Sequence, residues 1–354
     1  MGGSVTKTKP DNFPKIGIKV SYLDTFIKSI GGEIVLRGLS TATLVEKILK
    51  PLLDKEETTS YCQKLLIEKD PNIGISSVVI VHSWYNVFLD VINTIQYYFN
   101  NEPDTIIWFD MFCLDLHKEI SSFDEFCNSY KNAIKSFNYV VLIIPKWDQK
   151  IDILSRLWCN YELYCTENNN CKFEIAMMNE QEQAIFFKEI LYDTINTIEK
   201  IRYMINCESC KCYHLYRDKL IRIISTIGFK NCNDSVFNLI LNWILLTLTT
   251  CYDNSNDENE KIIIKYSIAH VYRLQGNFEM AESAYISVLE SRKRLLGSEH
   301  ESTLHTMFNL GSFYDDNDMF ENAEAIYVET LDTSKKVFTS IAIFIFILFL
   351  ILIY

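Results

Sequence analysis

The chain has 354 residues, 48% of them apolar, and a formal net charge of −12. That length holds two or three domains with substantial cores, and the apolar share excludes wholesale disorder. The acidic balance, with no Lys/Arg stripe to neutralise phosphates, excludes a nucleic-acid partner. The eleven cysteines are an odd number. Met1 to Lys15 is polar and lacks the apolar core of a signal peptide, so a reducing, cytoplasmic setting is expected.

Met1-Gly2-Gly3-Ser4-Val5-Thr6 fits the N-myristoylation pattern, with Gly2 followed by a hydroxyl at Thr6. A lipid there would bring the protein to a membrane; a plain flexible terminus is the other reading. Residues 1–74 are expected to be an N-terminal helical extension, with Leu44, Val45, Ile48, Leu49, Leu52 and Leu53 at helical spacing and Pro51 and Pro71 as punctuation.

Over residues 75–180 short apolar strands alternate with helices. Val78 to Val81, Thr105 to Phe109, Tyr139 to Pro145 and Phe173 to Met177 read as strands, separated by helices over Asn86 to Phe99, Phe123 to Phe137 and Leu154 to Cys165. The alternation predicts an α/β fold, a parallel sheet covered on both faces. Ligands of such sheets collect beyond the carboxyl ends of the strands. That selects three loop tips: His82-Ser83-Trp84, Asp110 to Phe112, and Lys146-Trp147-Asp148.

The third helix carries a lone carboxylate, Glu162, among apolar residues. On one continuous helix Ser155, Cys159 and Glu162 fall at i, i+4 and i+7, and Trp158 lies one turn before the acid. Glu162 is therefore expected on a half-buried face beside an aromatic, an environment that raises a carboxylate's pKa or aims it at a ligand. A helix-surface acid paired with a neighbour is the competing reading.

Residues 181–250 read as a helical flank. Its last part, Ser235 to Thr250, is apolar enough to raise the question of a membrane span, but Asn238 and Asn242 interrupt it and it is short for a bilayer, so a buried core helix is expected. Cys207, Cys210, Cys212 and His214 offer zinc-ligand types at short spacing. No second Cys-x-x-Cys accompanies them, and no metal is assigned. Neither a P-loop nor a Gly-x-Gly-x-x-Gly run occurs. The acidic run Asp253 to Glu260 predicts a linker over 251–261.

An internal repeat follows. Tyr272, Phe278, Ala281, Glu282, Tyr285 and Leu289 recur identically 42 positions later as Tyr314, Phe320, Ala323, Glu324, Tyr327 and Leu331, and Ala269 pairs with Gly311. Small residues let two helices approach while Tyr, Phe and Leu fill the seam, the pattern of stacked helical hairpins over 262–336. Gln275-Gly276-Asn277 and Asn317-Asp318-Met319 between the helices suit a left-handed turn. Val337 to Tyr354 carries no charge and would span about 27 Å as a helix. It is compatible with a C-terminal membrane anchor, with the start of a third repeat, or with translated noncoding sequence.

Two resemblances emerge from these residues. Trp158-Cys159-Asn160-Tyr161-Glu162-Leu163, with His82-Ser83-Trp84 after the first strand and Trp108-Phe109-Asp110-Met111-Phe112 at the second, resembles the Toll/interleukin-1 receptor (TIR) domain, whose plant branch carries Ser-x-Trp-Cys-x-x-Glu-Leu on the helix after its third strand. This resemblance implies a flavodoxin-like fold, homotypic assembly into an oligomer, and in some members cleavage of NAD by the helix glutamate. By that analogy Glu162 would be catalytic and His82, Ser83, Trp84, Asp110 and Trp158 substrate-binding, with NAD as substrate and no cofactor. Leu296-Gly297-Ser298-Glu299-His300-Glu301-Ser302-Thr303 and the repeat around it resemble the tetratricopeptide (TPR) hairpins of kinesin light chains, which implies a protein or peptide partner on the concave face. The expected function is an intracellular signalling adaptor, membrane-associated if the tail or a myristoyl group anchors it, with NAD hydrolysis as the alternative.

Overall fold

The computed structural model describes residues 13–53, 60–117, 122–147, 152–212 and 217–353. The myristoylation pattern, Asp148 and His214 lie outside them. The chain divides into two compact units: one runs to Lys188 and resumes over Ile198–Trp243, and the other comprises Glu189–Thr197 and everything from Ile244 onward.

The first unit opens with β1 (Ile16–Lys19) and helices α1 (Leu23–Ser29), α2 (Gly32–Leu36), α3 (Thr41–Leu44) and α4 (Tyr61–Ile67), which lead to β2 (Ile73–Ile75). The alternating part then comprises β3 (Val78–Val81), α5 (Phe88–Tyr98), β4 (Ile106–Phe109), the short α6 (Asp110–Cys113), α7 (Phe123–Phe137), β5 (Tyr139–Ile143), α8 (Leu157–Asn168) and β6 (Lys172–Ala176). Helices α9 (Glu180–Tyr192), α10 (Thr194–Met204), α11 (Arg217–Ile227) and α12 (Phe229–Asn254) complete the stretch before the repeats.

The sheet has six strands in the order β2-β1-β4-β3-β5-β6. Strands β4, β3, β5 and β6 are parallel, with Val79 opposite both Trp108 and Val140, and Val140 opposite Phe173. Taken alone, these four follow the doubly wound order 2-1-3-4, whose switch point lies beside β3. Every residue of β3 is buried, as a strand covered on both faces requires.

The all-parallel expectation needs correction, because β1 runs antiparallel to both β2 and β4, which makes the sheet mixed. It also draws residues 16–19 and 73–74 out of the supposed helical extension. Gly17 is what lets β1 in: a Cβ there would collide with Ser76 Oγ and the Ile107 carbonyl. Ile-Gly-Ile is too short to display a two-residue period, which is why neither β1 nor the edge strand β2 announces itself.

Helix α7 begins at Ser122, whose hydroxyl accepts from the Glu125 N–H (3.4 Å), and stops at Asn138, held left-handed at φ 58°. Helix α8 starts later than expected. Asp152–Ser155 form a 3-10 turn and Arg156 is extended, so Ser155 is not on the helix that carries Cys159 and Glu162. Helix α12 is long and apolar enough to cross a membrane by length and composition, yet Val236, Ile240, Leu241, Ile244 and Leu248 on it are buried and the Trp243 indole donates to Glu174 (2.9 Å).

In the second unit, four helices form two hairpins: α13 (Glu258–Leu274) with α14 (Phe278–Leu296), and α15 (Glu301–Asp316) with α16 (Phe320–Ile353). The acidic run expected as a linker is largely helix ends. Helix α12 reaches Asn254, and Asp257 caps α13 by accepting from the Asn259 N–H (2.8 Å), with Glu258 and Glu260 in the dipole-favoured first turn. Both hairpin turns pass through a left-handed residue, Gly276 (φ 73°) and Asp318 (φ 58°). Ala269, Ala281, Tyr285, Leu289, Leu310, Phe313 and Tyr314 share one core. A Cβ on Gly311 would meet the Tyr327 ring at 2.6 Å, so the small residue sets the helix spacing there. Residues Val337 to Ile353 continue α16 rather than opening a third hairpin.

Candidate functional site

Two of the three loop tips come together beyond the parallel strands. Strand β3 ends at Val81 and feeds His82, Ser83 and Trp84; its neighbour β4 ends at Phe109, and Asp110 opens α6. The Trp84 indole donates to Asp110 Oδ2 (2.6 Å), while Asp110 Oδ1 accepts from the Met111 N–H (2.7 Å) and lies 3.7 Å from His82 Nδ1. Ser83 is buried and its hydroxyl accepts from the Tyr85 N–H (3.3 Å), which bends the chain away from the strand. The His82 ring packs edge-on against Phe109 at 4.7 Å, and its Nε2 is buried with no hydrogen-bond partner. Burial lowers the His82 pKa, with the Asp110 charge opposing, so the ring is neutral at physiological pH.

The third tip is elsewhere. Lys146 bonds Asp90 on α5 (2.9 Å), and Trp147 donates its N–H to Glu182 (2.8 Å) while its ring packs on Phe186 at 4.5 Å.

Helix α8 is held over the β3 tip by Cys159, whose thiol donates to the His82 carbonyl (3.4 Å). One turn later Glu162 is 3% exposed, which corrects the half-buried expectation. Its Oε1 accepts from the Tyr130 hydroxyl of α7 (2.6 Å). Around this bond Trp158 packs 5.4 Å from Tyr130 and stacks on Phe126 at 5.8 Å, and Tyr130 lies 5.8 Å from Trp108. Burial pushes the Glu162 carboxyl well above the usual carboxylate range. The Asp110 charge adds to this, and hydrogen bonds from Tyr130 and Trp158 partly offset it. Burial likewise pushes the Tyr130 phenol up. The site therefore sets a carboxyl that tends to keep its proton beside a second carboxylate, a neutral imidazole and a wall of aromatic rings.

His82, Trp84, Asp110, Trp158 and Glu162 are thus one neighbourhood. Tyr130 is the member that sequence reasoning missed, since a tyrosine on the apolar stripe of α7 reads as core. The usable signal is that a buried phenol needs a polar partner. In the cysteine cluster, Cys207 Sγ lies 3.5 Å from Cys232 Sγ, and Cys210 accepts from Asn160 Nδ2 (3.1 Å). All eleven cysteines are thiols.

The repeats carry a second site. His305, Asn309, Ser312 and Asp316 follow each other at intervals of 4, 3 and 4 along α15, a single face. This face meets the first helix of the preceding hairpin: Asn309 donates to the Tyr266 hydroxyl, Tyr266 lies 3.3 Å from His305 Nδ1, and Arg273 donates to Ser312 (3.1 Å) and Asp316. Below it, Arg292 donates to the Ser302 carbonyl (2.9 Å) and Thr306 (2.6 Å) with its guanidinium 4.5 Å over the Tyr266 ring. His270, bonded to the Tyr285 hydroxyl (2.6 Å), has its pKa lowered to about 3 by burial and by Arg273. Within this ladder Tyr266 and Asn309 are buried while His305 and Asp316 are exposed, and an apolar seam lies behind it.

Residues 261–336 match the tetratricopeptide repeat family. No curated protein and no solved structure matches the chain. The repeat region is therefore a TPR module, and TPR modules bind proteins.

Proposed function

We propose that the protein is an intracellular adaptor whose TPR module binds a peptide segment of a partner along the ladder formed by Tyr266, Arg273, His305, Asn309 and Asp316. The TPR match over 261–336 carries this reading. The ladder supports it, because its groups stand on rigid helices and are already oriented, which lowers the ordering cost of binding. The first unit, by its resemblance to TIR domains, would serve assembly. Selection of peptides from a displayed library on the full chain tests the proposal. Peptides recovered by the wild type should lose affinity for a His305→Ala/Asn309→Ala double variant whose circular dichroism is unchanged. Equal binding by both would refute the assignment of this face.

A second reading, hydrolysis of NAD by the first unit, is favoured by the clustering of His82, Trp84, Asp110 and Trp158 about Glu162. Nicotinamide leaves from an already cationic ring, so a single carboxylate that steadies the oxocarbenium-like transition state suffices. Glu162 must then part from Tyr130 and lose its proton on substrate entry. Nicotinamide release no greater than that of a Glu162→Gln control, with the protein concentrated into assemblies, removes this reading.

A further inference from the structure

Helices α14 and α16 are equivalent elements of two successive hairpins, and they end differently. Helix α14 stops at Leu296 because Gly297 takes a positive φ of 89° and opens the link to α15. The position 42 residues later is Thr339, whose branched Cβ opposes a positive φ, and α16 runs through it without a break to Ile353. The helices that hold α16 stop well before that. Helix α15 lies antiparallel to it and has 16 residues, about 24 Å. With Asp316 and Phe320 flanking the turn, its far end at Glu301 comes level with Lys335. Helix α14 ends one turn beyond Lys293, which pairs with Glu329 (2.7 Å). Val337–Ile353 thus extends past both α14 and α15.

The composition of this segment selects its surroundings. Every residue from Ile341 to Ile353 is apolar, and in the preceding turn only Thr339 and Ser340 are polar, so this part of α16 has no polar side to show water. Helices α13, α14 and α15 all carry charges. A helix that is apolar all round belongs inside protein or in lipid, and the helices of its own hairpins end before they could enclose it. Its length suits lipid: Val337–Ile353 rises about 25 Å, in the range that crosses a hydrocarbon core of about 30 Å. A helix also pairs its backbone groups internally, as lipid requires. The charges stop at the boundary. Glu329 is held by Lys293 and Asp332 by Lys335 (3.6 Å), Lys336 comes last, and no charge follows it up to Ile353. Lysines at the end of a span place their stems along the apolar surface and their ammonium groups among the headgroups. We infer that Val337–Ile353 is a membrane-spanning helix that continues the last TPR helix. The partner of this half of α16 is a lipid bilayer, and an unbroken helix holds the TPR module at its surface.

The test is flotation of the full-length chain with vesicles. The chain is synthesised in a bacterial extract, which adds no myristoyl group, in the presence of phosphatidylcholine–phosphatidylglycerol vesicles, and the vesicles are floated in alkaline carbonate to strip peripheral protein. The wild type should float. An Ile345→Lys/Leu348→Lys variant, with two charges at the middle of the segment, should lose at least about tenfold of the floating fraction. An Ile345→Leu/Leu348→Ile variant should float like the wild type. Limited proteolysis checks that residues 258–336 stay folded in each. A wild type that stays at the bottom of the gradient, or that carbonate strips, would overturn the inference. Equal flotation of the lysine variant would place the attachment on another segment, such as α12, and loss in both variants would point to a specific packing contact; either result rejects the span.

Discussion

Replacing Glu162 by Gln should stabilise the first unit at neutral pH, although it removes a buried, hydrogen-bonded acid. In the fold the Glu162 carboxyl is pushed up, first by burial and then by Asp110. Its folded pKa therefore exceeds the unfolded one, and between the two values the native state holds a proton that the unfolded chain releases. Stability from this group is complete below the unfolded pKa, about 4.5, and is lost as pH rises toward the folded value, at about 1.4 kcal/mol per pH unit. Glutamine keeps the acceptor for the Tyr130 hydroxyl and titrates not at all. The difference between variant and wild type should be smallest near pH 4.5 and grow through pH 5, 6 and 7 until the folded pKa is passed. Urea unfolding at each pH is the assay, with tryptophan fluorescence as readout because Trp158 stacks in the same cluster. Parallel stability–pH curves for the two proteins, or a glutamine variant less stable at pH 7 than at pH 5 relative to wild type, would refute the argument that burial and Asp110 govern this acid.

Gly17→Ala should cost the first unit about 3 kcal/mol or more, since the added methyl strikes the Ile107 carbonyl as well as Ser76 and backbone cannot move aside cheaply. The midpoint of urea unfolding measures it, and a change under about 0.5 kcal/mol would contradict the close packing of β1 on β4. In the TPR module, Arg292→Ala removes the donor shared by the Ser302 carbonyl and Thr306 together with the cover over Tyr266. A loss of about 2–3 kcal/mol in the thermal unfolding of the repeats is expected, and Arg292→Lys should recover only part of it because a point charge cannot serve both acceptors in the fork geometry.

What could be read in advance differs between the two units for a physical reason. Hairpin repeats are held by contacts between helices adjacent in the chain, so each core position leaves its mark locally. Tyr285 and Tyr327, Ala281 and Ala323, and the left-handed turns at Gly276 and Asp318 could all be read from the sequence. The β-branched runs at Val78–Val81 and Tyr139–Ile143 were equally plain, because a strand buried on both faces is apolar throughout. Strand β1 was not, since its pairing depends on a glycine meeting a backbone carbonyl ninety residues further on in sequence (Gly17 and Ile107). Glu162 shows the same division. Its place one turn after Trp158 was written in the sequence, but α8 is covered on several sides, with Asn160, Tyr161, Glu162, Leu163, Cys165 and Thr166 all buried, so no polar stripe revealed which way the acid faced. Local spacing fixes which residues share a helix, whereas only the packing of α7 against α8 decided that Tyr130 would meet that carboxyl and that burial would hold its proton.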